Sequence, residues 1–211
     1  MVGRRPAPNL AVVFDVDRRL LDFLVAHRIA ELDHLALRVA KLDGTGRFWL
    51  LAMVGFVALV AARRSWRALV AVPIAFVLAG STSSLLKLWI GQHRPRYAQA
   101  IVHTTGLSMP SDHAAYTAAA AIVVVCAVDW GSARARRAAA IAIAAVTAAI
   151  GALMVYAGAH WLSDVVVGWL LGIAIGLAVE AATRAIWPSS DSVEERDQGG
   201  VEIGEGGARV V

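Results

Sequence analysis

The 211-residue chain is 58% hydrophobic and only 17% charged, with a mean hydropathy of +0.63. An ordinary soluble domain is about half apolar and a quarter charged, so this composition argues against a soluble globule and excludes a disordered protein. One cysteine, Cys126, excludes an intramolecular disulfide and a cysteine-only metal site and reads as packing filler. The net charge of +4 hides an asymmetry, because residues 1–188 carry 18 basic against 10 acidic groups, a net of +8. That basic excess lies between long apolar blocks, which points to membrane orientation rather than to nucleic acid.

In chain order, residues 1–14 hold Arg4 and Arg5, but their apolar run from Leu10 to Phe14 stops at Asp15. A signal-peptide core needs about 7–15 apolar residues, so no cleavage is expected. Over residues 16–42, Leu20, Leu21, Leu24, Val25, Ile29, Leu32, Leu35 and Val39 recur at spacings of three and four, with charges between them. This predicts an amphipathic helix or helix pair lying in the membrane interface. Gly44-Thr45-Gly46 then turns the chain toward the first span.

A spanning helix needs about 20 apolar residues. Stretches at about 68–90, 112–130, 138–157 and 164–187 qualify, and a shorter one runs from Trp49 to Ala62. Alternating β-barrel patterning is absent, and the many alanines favour helix. Trp49, Trp66, Trp89, Trp130, Trp161 and Trp187 fall near span ends, as an aromatic belt would. Gly168, Gly172 and Gly176 give the last helix a small-residue face for close packing.

The expected fold is therefore all-α, an integral membrane bundle of about five transmembrane helices behind an N-terminal amphipathic interfacial segment. The expected divisions are an interfacial segment over 1–46, a membrane domain over 47–188, and a disordered acidic cytoplasmic tail over 189–211. Arg63, Arg64 and Arg67 in one short connection, and Arg134, Arg136 and Arg137 in another, place those loops in the cytoplasm of a plasma-membrane protein. The connections at about 91–111 and 158–163 then face outside.

Four acids fall between positions 44 and 188: Asp112, Asp129, Asp164 and Glu180. Ionisable groups at membrane depth are costly and hence candidates for function. Asp129 lies at a span end and Glu180 one turn before Arg184, and both read as structural. Asp112 and Asp164 sit beside His113 and His160 on one expected face of the membrane. Three clusters meet there: Lys87, Arg94 and Pro95; Pro110-Ser111-Asp112-His113; and His160 with Asp164. If residues 160–164 are helical, His160 and Asp164 share a face, where the carboxylate can fix the imidazole's tautomer. A helix start after Pro110 offers N–H groups to an anion, and Lys87 and Arg94 add positive charge. Two histidines in a cationic cradle suit metal-free phosphoryl transfer, one attacking phosphorus and the other protonating the leaving oxygen. His27, His34, His93 and His103 read as surface groups, Tyr97 and Tyr116 as interface or packing residues, and Ser81, Ser83 and Ser84 as hydrogen-bonding partners within a span.

Over roughly 48–187 the sequence resembles the type 2 phosphatidic acid phosphatase superfamily of membrane lipid phosphatases. The K-x6-R-P motif matches Lys87 to Pro95, and P-S-G-H matches Pro110, Ser111 and His113, with Asp112 in the glycine's place. S-R-x5-H-x3-D matches only His160 and Asp164, because Leu153 and Met154 hold the serine and arginine positions. The resemblance implies that His160 is the nucleophile forming a phosphohistidine, oriented by Asp164, with His113 as general acid. It implies phosphate binding by Lys87, Arg94 and Ser111. With the arginine missing, either another basic residue such as Arg96 substitutes or activity is weak or altered, and Asp112, beside the phosphate site, is a candidate modulator. The P-S-D-H form is similar to the bacterial branch acting on undecaprenyl diphosphate. The implied function is hydrolysis of a polyprenyl diphosphate or related lipid phosphate at the extracytoplasmic face. The alternatives are a phosphatidate or phosphatidylglycerol-phosphate phosphatase, another phosphoprenyl-lipid phosphatase, and a non-catalytic lipid-binding protein of the same fold. The expected partners are the bilayer and the lipid substrate; no cofactor, metal or nucleic acid is implied.

Overall fold

The computed structural model describes residues 8–44, 47–95, 98 and 100–187. Arg96, Tyr97 and the tail over 189–211 lie outside them. Seven helices make up the described chain: α1 (Pro8–Ala26), α2 (Ala30–Gly44), α3 (Arg47–Ala62), α4 (Trp66–Ile90), α5 (Asp112–Ala127), α6 (Ala133–Tyr156) and α7 (Leu162–Ile186). The all-α expectation holds, and the amphipathic segment is a pair of helices that begins at residue 8 rather than 16.

α4, α6 and α7 have 25, 24 and 25 residues and are long and apolar enough to cross a membrane. At about 1.5 Å per residue they exceed the roughly 30 Å hydrocarbon layer. Their outward faces carry Val77, Leu78, Leu85, Leu88, Ile141, Val146, Leu170 and Leu177, all exposed. Exposed apolar surface on this scale is what lipid replaces with its own tails. The protein is an integral membrane protein. The other two expected spans are shorter. α3 has 16 residues, and α5 has 16 and stops at Ala127 rather than 130. Arg134, Arg136 and Arg137, expected in a loop, form the start of α6, which Ser132 caps by accepting the Ala135 N–H at 3.1 Å.

α5 is the centre of the bundle, packed on α4, α6 and α7. Alanine makes this possible. Ala71, Ala75 and Ala79 of α4 recur at helical spacing and meet Ala115, Ala119 and Val123 of α5. On the other side Gly168, Gly172 and Gly176 of α7 lie against the α5 backbone, as their four-residue spacing predicts. A Cβ at Gly172 would sit 2.1 Å from the Ala115 carbonyl oxygen and 2.8 Å from the Ala118 Cβ. Gly172→Ala must therefore push two backbones apart, and overpacking of this kind costs about 1–3 kcal/mol. A clear fall in the thermal midpoint of the detergent-solubilised variant is expected; an unchanged midpoint contradicts the packing.

The two ends of the bundle differ in charge. At one end, Arg63 Nη1 reaches the Asp129 carbonyl at 3.5 Å, and the Asp129 N–H donates to Ser65 Oγ at 2.8 Å. These bonds join the two arginine-rich connections. Glu180, buried, accepts from Arg67 at 2.9 Å and Arg184 at 2.7 Å, which bears out a structural reading for it. The opposite end holds the start of α5, the end of α4 and the α6–α7 turn, where α1 and α2 also dock. Tyr156 of α6 donates to Asp33 at 2.6 Å and accepts the Ile29 N–H at 3.0 Å.

Candidate active site

α4 ends because Gly91 takes a left-handed conformation (φ 69°) and its N–H bonds the Lys87 carbonyl at 2.9 Å. The chain then passes through Gln92, His93 and Arg94 across the top of α7. An isolated bridge between His93 and Leu107 and a bond from the Ser108 N–H to the Gln92 carbonyl at 2.8 Å fold the 91–111 connection back on itself. The Trp161 indole fastens it by donating to the His93 carbonyl at 2.9 Å.

His160 lies in the turn before α7, after Gly158 with φ 70°, and α7 begins at Leu162. The expected shared helix face is therefore corrected: Asp164 is in the first turn of α7 and reaches back to a residue outside the helix. The pairing survives because Asp164 also accepts the Trp161 N–H at 2.9 Å, closing the helix start. Its Oδ2 lies 3.3 Å from His160 Nδ1, and its Oδ1 accepts from Gln92 Nε2 at 3.1 Å. Both oxygens have partners, as a fully buried carboxylate requires.

Arg94 approaches the other edge of the imidazole. Its Nη1 is 2.7 Å from the Ala159 carbonyl and 3.1 Å from His160 Nε2. A guanidinium can only donate, so Nε2 accepts and the ring proton sits on Nδ1, facing Asp164. Burial pushes the His160 imidazole below its ordinary pKa, with Asp164 opposing that shift and Arg94 adding to it. With Nε2 accepting from Arg94, the ring is neutral and that lone pair is turned to the cationic side of the site, an arrangement suited to a nucleophile.

The second wall comes from α4 and α5. Lys87 pairs with Asp112, which also accepts from Ser83 Oγ at 2.6 Å. The charged Lys87 on α4 is thus the ion-pair partner of Asp112. Ser111, fully buried, is the cap: its Oγ accepts the Ala114 N–H at 3.5 Å. Its own N–H donates to the Asp164 carbonyl at 2.9 Å. The Ser111 N–H is thus tied to α7, and the anion-binding helix start is smaller than expected from sequence. His113, half-buried on the first turn of α5, packs its ring on Tyr116 with centroids 5.2 Å apart.

Lys87, Arg94, Ser111, Asp112, His113, His160 and Asp164 thus gather at one end of the bundle. Met154, at the position of the absent arginine, contributes its carbonyl, which accepts the Ala159 and His160 N–H groups at 3.1 and 3.3 Å. Arg96 is not among the described residues. His27, His34, His93 and His103 are exposed. Sequence reasoning left Gln92 out, whereas Ser83, read as a hydrogen-bonding partner within its span, does bond Asp112 of the neighbouring helix. The signal for Gln92 was a polar residue two positions before Arg94.

The PAP2 superfamily model matches residues 68–187, which contain every one of these site residues. The chain belongs to the PAP2 superfamily. Among solved structures it is similar to the crystal structure of the first transmembrane PAP2 type phosphatidylglycerolphosphate phosphatase from Bacillus subtilis. The TM-score is 0.71 and the identity 22%, over 84% of this chain and 89% of that one. That likeness establishes a shared fold. Among curated protein sequences there is no match. α1 and α2 precede the region that marks this chain as a PAP2 protein.

Proposed function

We propose that this PAP2 protein is a lipid phosphate phosphatase working through a phosphohistidine. The observation that carries this is the neutral His160, held by Asp164 at Nδ1 and facing Arg94 at Nε2. Arg94 and Lys87 turn to the phosphate oxygens, leaving the His160 Nε2 free to attack phosphorus. The bond to the leaving oxygen breaks as His113 protonates it, and the lipid alcohol leaves from a monoester or the lipid monophosphate from a diphosphate. Water, losing a proton to His113, then cleaves the phosphorus–nitrogen bond and releases inorganic phosphate. With the arginine-rich end in the cytoplasm, the site faces outside the plasma membrane, and α1 and α2 lie in the outer interface.

The head group has two readings. The Pro-Ser-Asp-His run favours a polyprenyl diphosphate by its likeness to the undecaprenyl diphosphate branch. The pairing of Lys87 with Asp112 lowers the positive charge open to a ligand and favours a phosphate monoester. The similar structure, a phosphatidylglycerolphosphate phosphatase, points the same way. Phosphate release by the purified protein from undecaprenyl diphosphate, phosphatidylglycerol phosphate and phosphatidate decides between them by kcat/KM. Lipid binding without release from any of the three would overturn the enzyme reading.

A further inference from the structure

A helix start leaves its first N–H groups without intrahelical partners, and an oxygen-bearing residue at the cap normally takes one of them. α7 has Trp161 there, whose indole can only donate and is engaged with His93. The missing acceptor comes from α1. Asp17, 3% exposed, accepts the Ser163 N–H at 3.0 Å through Oδ1 and the Ser163 hydroxyl at 2.5 Å through Oδ2. Leu20 and Leu24, one turn and two turns along α1, pack against Ala114, Val155 and Val165 beside the site. Asp17 shares the apolar stripe with Leu21 and Leu24, an unexpected place for an acid unless a donor waits for it.

We propose that Asp17 is a positioning residue, a cap lent by α1 that fixes the first turn of α7 and so the grip of Asp164 on His160. Ser163 and Asp164 are neighbours in that turn, so the backbone tied down by Asp17 is the backbone that carries the orienting carboxylate. The inference rests on His160 as the reacting group, and it gives the helix outside the PAP2 match a part in the chemistry.

The test compares Asp17→Ala, Asp17→Asn and Ser163→Ala with the full-length protein in detergent, labelled with 15N-histidine. The wild type is expected to show one Nδ1–H tautomer at His160, identified by loss of the signal in His160→Gln. Asp17→Ala is expected to lose about 10–100-fold in kcat, the scale of a small misplacement of a reacting group. Its KM should stay within about twofold, and the His160 signal should become a mixture of tautomers. Asp17→Asn, which keeps an oxygen acceptor, should retain most of the rate and the single tautomer. A lower thermal midpoint in Asp17→Ala, with rate and tautomer unchanged, would make Asp17 a structural anchor and overturn the proposal. If Asp17→Ala does not fold, Ser163→Ala decides: a smaller kcat loss with partial mixing supports the proposal, and no change in either overturns it. If the wild type releases no phosphate from any lipid, the enzyme reading fails, and the tautomer measurement still decides whether Asp17 positions His160.

Discussion

Replacing His160 with alanine is expected to bring phosphate release down to background, a loss of about 10⁶-fold, the scale seen when a nucleophile is deleted from an intact site. The reason is geometric. The imidazole Nε2 lies 3.1 Å from Arg94 Nη1, so phosphate drawn to that guanidinium arrives at the lone pair. The other ring nitrogen is occupied by Asp164. Among the described residues neither carboxylate can take that position, since Asp164 is fully buried and Asp112 is bound to Lys87. Trapping with 32P-labelled substrate should give an acid-labile, base-stable protein phosphate in the wild type and none in His160→Ala. A trapped phosphate that persists in the variant would move the nucleophile elsewhere.

Replacing His113 with alanine is expected to cost about 10²–10⁴-fold on a lipid phosphate, the usual worth of general acid catalysis. In the phosphorylation step, followed as release of the leaving group in a single turnover, the loss should shrink on p-nitrophenyl phosphate, whose leaving oxygen needs no proton. His113 is half-buried on the first turn of α5, its ring resting on Tyr116, and Tyr116 in turn packs on Phe76 with centroids 4.4 Å apart. The ring stands on a packed aromatic pair rather than on a flexible loop. Equal losses on both substrates in that first step would show that His113 binds phosphate rather than donating a proton.

Much of the site was legible because its residues are chemically conspicuous. A lysine, an arginine, two histidines and two aspartates are rare between apolar spans, and their spacing relative to the span ends already assigns them to one end of the bundle. What spacing could not show was how they share partners. Asp112 pairs with Lys87 across 25 positions, and that choice follows from which faces of α4 and α5 meet. The donor from Gln92 to Asp164 spans 72 positions and depends on the turn at Gly91. Asp17 and Ser163 are 146 positions apart, so nothing local marks them, although an acid on an apolar stripe was a visible anomaly. The short α5 was hard to read for a different reason. Val128 and Trp130, on either side of Asp129, extend the apolar composition while the backbone has already left the helix, because Val128 is extended (ψ 135°).

The glycine face of α7 also determines how the site can move. Where two helices meet through side chains, each can slide or roll as rotamers adjust. Here Ala115 and Ala119 carbonyls sit against bare Cα positions at Gly172 and Gly176, and the Ser111 N–H is bonded to the Asp164 carbonyl. α5 and α7 therefore travel as one stiff body that carries His113 and Asp164 together. The relative placement of His113 and Asp164 is then held by the α5–α7 contact, and under the proposed mechanism accommodation of the head group falls to the two long cationic side chains. Lys87 must let go of Asp112, and Arg94 must swing off His160. In mechanical terms the protein is a rigid anvil with two moving fingers, so turnover should follow side-chain exchange at Lys87 and Arg94 rather than any hinge between helices.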